Sequence, residues 1–217
     1  MARRRVSNPL ALAVLASLTE RPMHPYEIST TLRQRAKEES IKLNYGSLYS
    51  VVDALAKHGL IEAQETVREG RRPERTIYAI TEAGKSEFAD WLSEMLSSPV
   101  KEFTQFEAAL ALLAGLPPDD VLTLLDTRVM RLHHEITALR AGLELAAQQG
   151  LPRLFAIESE YWLALREAEL SFVKSLMAQI RDGSLEGVDG WREYHETGVL
   201  PDLTDLAAGR ERLRKVE

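Results

Sequence analysis

Four arginines, Arg68, Arg71, Arg72 and Arg75, fall within eight residues of one another. Like charges this close repel, so folding alone gains nothing from crowding them, whereas an anionic partner would relieve the repulsion. The turn-formers Gly70 and Pro73 stand among them, and the flanking runs Leu60–Val67 and Thr76–Ile80 carry β-branched and aromatic residues. The segment therefore reads as a β-hairpin with a cationic tip, suited to phosphate or to a minor groove. Glu69 and Glu74 reduce the loop's net charge to +2, and a self-neutralised surface loop is the other reading. Just upstream, Tyr45, Ser47, Tyr49 and Ser50 occupy the outer side of a helix whose inner stripe is Leu48, Val51, Val52 and Leu55. Gly46 would allow close approach, and Lys42 precedes the helix. Hydroxyls at a helix N-terminus bond phosphate oxygens or base edges, and the helix dipole attracts phosphate. The same small polar residues would also serve a merely solvated helix.

Other chemistries find little support. With no Cys, disulfides, cysteine zinc sites and thiol catalysis are excluded, which fits a reducing compartment. There is no Gly-rich phosphate loop and no nucleophile-elbow pattern. His133 and His134 are adjacent and point about 100° apart on a helix, so they cannot share a metal by themselves. His24, His58 and His195 lie in separate segments with no acid at ligand spacing. We expect no catalytic residue, no metal and no cofactor. The longest apolar run, Leu10–Leu18, is too short to span a bilayer. It follows Arg3-Arg4-Arg5 in the manner of a signal peptide, but no small-x-small cleavage site is convincing and the pattern continues into further helices without a break, so a cytoplasmic location away from membranes is expected.

The elements that must position these residues are legible from periodicity. Pro9 opens a helix with Leu10, Ala13, Val14 and Leu18 at three- and four-residue spacing, ended by Arg21-Pro22. A second begins at His24-Pro25 with Tyr26, Ile28 and Leu32, and a third near Asn44 stops at Gly59. Three short helices with brief connections are the helix-turn-helix arrangement, and the following hairpin would be its wing. Thr81 is a plausible N-cap for a fourth helix carrying Phe88, Trp91, Leu92, Met95 and Leu96.

Net charge, −6 overall, is unevenly divided. Residues 1–80 hold 13 basic and 9 acidic residues, whereas 81–217 hold 14 and 24. A basic front on an acidic body is expected when one part meets phosphate and the other does not. Beyond residue 100 the chain reads as helical. Phe103, Phe106, Leu110 and Leu113 form a stripe ending at Gly115, and Pro117-Pro118-Asp119-Asp120 restarts a helix. Leu125, Val129, Leu132, Ile136, Leu139, Leu143 and Ala146 then alternate spacings of four and three, a heptad seam. After the break at Gly150 and Pro152, a last long helix, roughly Leu154–Ile180, sets Ile157, Tyr161, Leu165, Ala168, Phe172 and Leu176 on one side. The two long helices should pack antiparallel. Leu122, Leu125, Leu132, Leu143, Trp162, Phe172 and Met177 spread too broadly for two helices to cover each other, and a second chain would bury the excess. No element is assigned to the tail beyond Gly183.

One combination of motifs is specific. GSLYSVVDALAKHGLIEA, then EGRRPERTIYAIT and EAGK, resembles the winged-helix domain of the PadR family of bacterial transcriptional regulators. HPYEI resembles that family's usual H-G-Y-E-I, with Pro25 in the Gly place. The likeness covers about Leu10–Leu96, and the later FEAALALLAGLPPDD and EYWLALREAELSFVKSL resemble, more loosely, the family's longer helical domain. The resemblance implies a dimeric DNA-binding regulator, usually a repressor, often released by a small molecule. In some such proteins an aromatic on the fourth helix lines a cavity for planar compounds; here Phe88, Trp91 and Met95 would do so, ordinary core being the other reading.

Together these readings give a mainly α chain with a small β-hairpin wing. A winged helix-turn-helix (residues 1–98) precedes an antiparallel helical dimerisation domain (99–183) and a tail (184–217). The expected partners are double-stranded DNA, a second copy of the chain, and a small hydrophobic or aromatic effector. DNA would meet Lys42, Tyr45, Gly46, Ser47, Tyr49, Ser50, Arg68, Arg71, Arg72 and Arg75. The second copy would meet Leu125, Leu132, Ile136, Leu139, Leu143, Tyr161, Trp162, Leu165 and Phe172. The rival reading is a protein-interaction adaptor that kept the winged fold but binds no DNA.

Overall fold

The computed structural model describes residues 8–41, 44–67 and 75–199. The chain divides into two compact units, Met1–Lys101 and Glu102–Glu217.

In the first unit, α1 (Pro9–Glu20) starts where Asn8 Oδ1 accepts the Leu10 amide at 2.9 Å, with Pro at the first helical position. Leu10, Ala11, Val14, Leu15 and Leu18 are buried, so α1 is apolar nearly all round and forms the centre of the core. Pro22 ends it, and Met23 then pairs with Tyr78, each amide donating to the other's carbonyl at 3.0 Å. α2 (Pro25–Gln34) is capped by His24, whose Nδ1 accepts the Tyr26 amide at 3.1 Å. α3 (Tyr45–Lys57) is capped by Asn44, whose Oδ1 accepts the Ser47 amide at 2.7 Å, and it stops at Gly59, where φ is +70°. Ile28, Leu32, Leu48, Val52 and Leu55 close over α1. Each such side chain, fully buried, contributes about 1.5–3 kcal/mol.

β1 (Ile61–Val67) and β2 (Arg75–Ile80) form an antiparallel hairpin with Ile61 opposite Ile80 and Val67 opposite Arg75. A register shift between Ala63 and Glu65 leaves Gln64 as an extra residue, a bulge that re-aims the distal half of the ribbon. Thr81 joins three elements. Its hydroxyl donates to the Gly59 carbonyl at 2.7 Å and accepts the Gly84 amide at 3.0 Å, capping α4 (Glu82–Ser97).

In the second unit, α5 (Gln105–Ala111) is followed by a 3-10 turn, Leu113–Gly115, and then by α6 (Pro118–Gln148). α7 (Ile157–Asp182) returns antiparallel to α6, as the ion pairs Asp126–Arg181 (3.1 Å), Glu135–Arg166 (2.9 Å) and Arg140–Glu167 (2.5 Å) require. Gly183 and Gly187, both with positive φ, turn the chain into α8 (Val188–Thr197). The tail assigned no element from sequence thus contains a helix that belongs to the second core: Val188 and Trp191 are buried with Val121, Leu125, Val173, Met177 and Ile180. Trp191 Nε1 donates to the Leu116 carbonyl at 2.8 Å, and an Arg192 guanidinium nitrogen to that of Ile180 at 2.6 Å. α8 therefore satisfies carbonyls that the ends of α7 and of the 3-10 turn leave open.

Candidate nucleic-acid interface

α3 supplies the face most suited to a groove. At about 100° per residue, Gly46, Tyr49, Ser50, Asp53 and Lys57 fall on one side of the helix, and all five are exposed. The opposite side, Leu48, Val51, Val52 and Leu55, is buried, which fixes the helix's rotation. Ser47 is half-buried on the flank of the outward face, and its amide is already engaged by the Asn44 cap. The Ser50 hydroxyl donates to the Gly46 carbonyl at 3.0 Å, leaving its lone pairs outward. Gly46 has an ordinary backbone conformation, and a Cβ there would meet nothing nearer than Asn44 Oδ1 at 3.8 Å.

Tyr45 opens α3 and Arg75 opens β2. Lys42, Arg68, Arg71 and Arg72 lie outside the described residues, as do Arg3-Arg4-Arg5 and residues 200–217. The two strands leave the core at Ile61 and Ile80 and carry the intervening arginine segment between their far ends, Val67 and Arg75. Three other arginines pair with carboxylates within the unit, Arg33 with Glu38 at 3.3 Å among them. Arg21 bonds Glu27 at 2.5 Å, and Arg35 forks onto both carboxylate oxygens of Glu20. These guanidinium hydrogen bonds hold the Glu20 and Glu27 carboxyls below their ordinary range.

The three candidate effector residues separate. Trp91 is 5% exposed and belongs to the α1-centred core, Phe88 packs against that core from its edge, and Met95 is 52% exposed. The residues expected to meet a second chain also divide. Leu125, Leu132 and Ile136 are buried and Leu139 and Leu143 half-buried along the α6 seam, where α7 of the same chain covers them. On α7, Val173, Met177 and Ile180 are buried with Leu125, and Leu163 and Leu170, half-buried, continue the same side by helical period. Tyr161 (66%), Trp162 (43%), Leu165 (42%) and Phe172 (52%) lie on the other side, exposed. α7 is thus apolar on two faces, and a sequence stripe alone does not say which one the hairpin uses. Beside the exposed face, Arg166 stacks 4.0 Å over the Trp162 ring while bonding Glu169 at 2.7 Å.

Asp53 and Lys57 extend this face beyond the residues expected from sequence; they stand seven and eleven residues after Gly46, in phase with it, but carry no hydroxyl.

Three helices wrapped on a core and closed by a two-stranded ribbon, with one helix presenting a polar face outward, make a winged helix, the DNA-binding module of many transcription regulators. Residues 14–90, within the first unit, match the transcriptional regulator PadR-like family. Among solved structures, Bacillus subtilis PadR in complex with operator DNA is similar at 18% identity and TM-score 0.61, over 80% of this chain and 98% of that one. The same protein in complex with p-coumaric acid is similar at 17% identity and TM-score 0.63, over 78% and 97%. Streptococcus mutans smu.1604c is similar at 27% identity and TM-score 0.52, over 79% and 99%. Matches of this length run past the first unit into the second. No curated protein sequence matches the chain. The family is a class of regulators, not of enzymes, and no described helix is long and apolar enough to cross a membrane.

Proposed function

We propose that the protein is a sequence-specific DNA-binding repressor that works as a homodimer. Each protomer lays the outward face of α3 in a major groove, while Arg68, Arg71, Arg72 and Arg75 grip the neighbouring minor groove or its phosphates. Operator binding then occludes or repositions the transcription machinery. The observation that carries this reading is the α3 face: a polar, exposed stripe on a helix whose rotation is set by a fully buried opposite side. The likeness to a PadR structure bound to operator DNA supports it.

Dimerisation is supported by the exposed α7 stripe. Tyr161, Leu165 and Phe172, together with Ile157, recur along one side of a 26-residue helix, and water is a poor partner for such a surface. A twofold-symmetric protein also matches an operator of two half-sites. We further assign the protein a small aromatic effector, on the likeness to PadR in complex with p-coumaric acid. Of the three candidates Met95 is the exposed one, and we assign the contact to it.

A gel shift of the full chain with the DNA upstream of its own coding region tests the core of this reading. A retarded band competed by the same duplex, and poorly by an unrelated one, is expected. No retardation at low salt would leave the adaptor reading in its place.

A further inference from the structure

Asp53 stands near the middle of the outward face of α3, between Tyr49 and Ser50 on one side and Lys57 on the other. It is exposed, and among the described residues its carboxylate forms no hydrogen bond or ion pair, Lys57 one turn on included. Nothing in the fold of the described residues calls for a carboxylate there. If α3 enters a groove, that carboxylate lies between two walls of phosphate, where it is repelled. The repulsion is offset only where a hydrogen-bond donor faces it.

In the major groove, the donors on base edges are the exocyclic amino groups of cytosine and adenine; guanine offers two acceptors. Adenine sets its N7 acceptor beside its amino group, which would oppose the second carboxylate oxygen, whereas cytosine does not. Ser50 reinforces the same preference. With its hydrogen donated to the Gly46 carbonyl at 3.0 Å, it too offers lone pairs to the groove.

The geometry points to Asp53 as a sequence-selecting residue, one that accepts a hydrogen bond from cytosine N4 and penalises sites lacking a donor at that position. This rests on the reading of α3 as the groove helix and adds a division of labour. The arginines between the strands supply attraction to any duplex, and a lone anion on α3 subtracts from every duplex except those with the right base.

The test is selection from a duplex library randomised over about 20 base pairs, two helical turns, with the full-length wild type, Asp53→Ala and Asp53→Asn. Wild type should enrich a C·G pair at one position of each half-site. Both variants should lose that preference while keeping the others. They should bind an unrelated duplex more tightly than wild type does, so that the ratio of selected to unrelated affinity falls about tenfold, within the range of one good base contact. Because the side chain is exposed, the variants should melt no lower than wild type. If the variants enrich the same sequence at the same ratio, Asp53 has no selecting role and the inference is overturned, while DNA binding itself stands. If wild type enriches no sequence, the inference and the reading beneath it fail together.

Discussion

A Cβ built on Gly84 would lie 2.0 Å from the Leu60 carbonyl oxygen and 2.8 Å from Ile80 Cγ1, so the first turn of α4 touches backbone where β1 begins. Backbone cannot yield as a flexible side chain would. Gly84→Ala should therefore cost about 3 kcal/mol, the upper part of the usual overpacking range, read as a lower urea midpoint. Gly46 is constrained by nothing comparable, since a Cβ there meets only Asn44 Oδ1 at 3.8 Å and no positive φ is involved. Glycine in a helix interior costs about 0.5–1 kcal/mol relative to alanine, and Gly46, in the first turn, stands at the lower end of that range. Gly46→Ala should then stabilise the fold by about that amount while weakening DNA binding, because the added methyl occupies the outward face. A variant that is both more stable and equally tight on DNA would remove Gly46 from the contact. Only the coordinates separate these two glycines, since each is simply a Gly near a helix start in the sequence.

At the scale of elements, the ribbon and α8 make separate demands. The arginine segment joins β1 to β2, and in the proposed function it contributes sequence-independent charge. Arg71→Ala with Arg72→Ala should weaken binding to every duplex and reduce the slope of log affinity against log salt by up to about two, if both meet phosphate. An unchanged slope would take these two residues out of the interface. α8 acts within the second unit. Trp191→Ala should cost about 3–5 kcal/mol by analogy with other core tryptophans, and it also leaves the Leu116 carbonyl without the indole. The outcome is checked by the unfolding midpoint of the full chain followed by circular dichroism. α8 was not legible beforehand because only Val188 and Trp191 of its ten residues are buried, too few to mark a period. Its boundaries come from Gly187 and Gly198, whose positive φ is visible only in the structure.

For the molecule as a whole, the division of apolar faces along α7 matters most. The seam that looked suited to a second chain, Leu125, Leu132 and Ile136, is covered by α7 itself, which leaves Tyr161, Trp162, Leu165 and Phe172 as the proposed interface. Leu165→Glu combined with Phe172→Glu should convert a dimer to a monomer in sedimentation, with helical content retained because neither side chain is in the hairpin's buried face. It should also weaken operator binding, since a monomer meets one half-site instead of two. A variant that stays dimeric would move the interface elsewhere.

In the first unit the order of helices, the hairpin, the Gly59 stop and the Thr81 cap followed from the residues alone, because Pro9, Pro25, Gly59 and Thr81 act on their nearest neighbours through local backbone geometry and hydrogen bonds. The polar face of α3 was legible for the same reason, since helical period and one buried stripe determine the other. Tertiary structure decided which of the two apolar faces of α7 meets α6, where Trp91 and Met95 part company, and that α8 joins the second core. Those outcomes depend on long-range packing, in which the partner of a side chain stands tens of residues away and no local period names it.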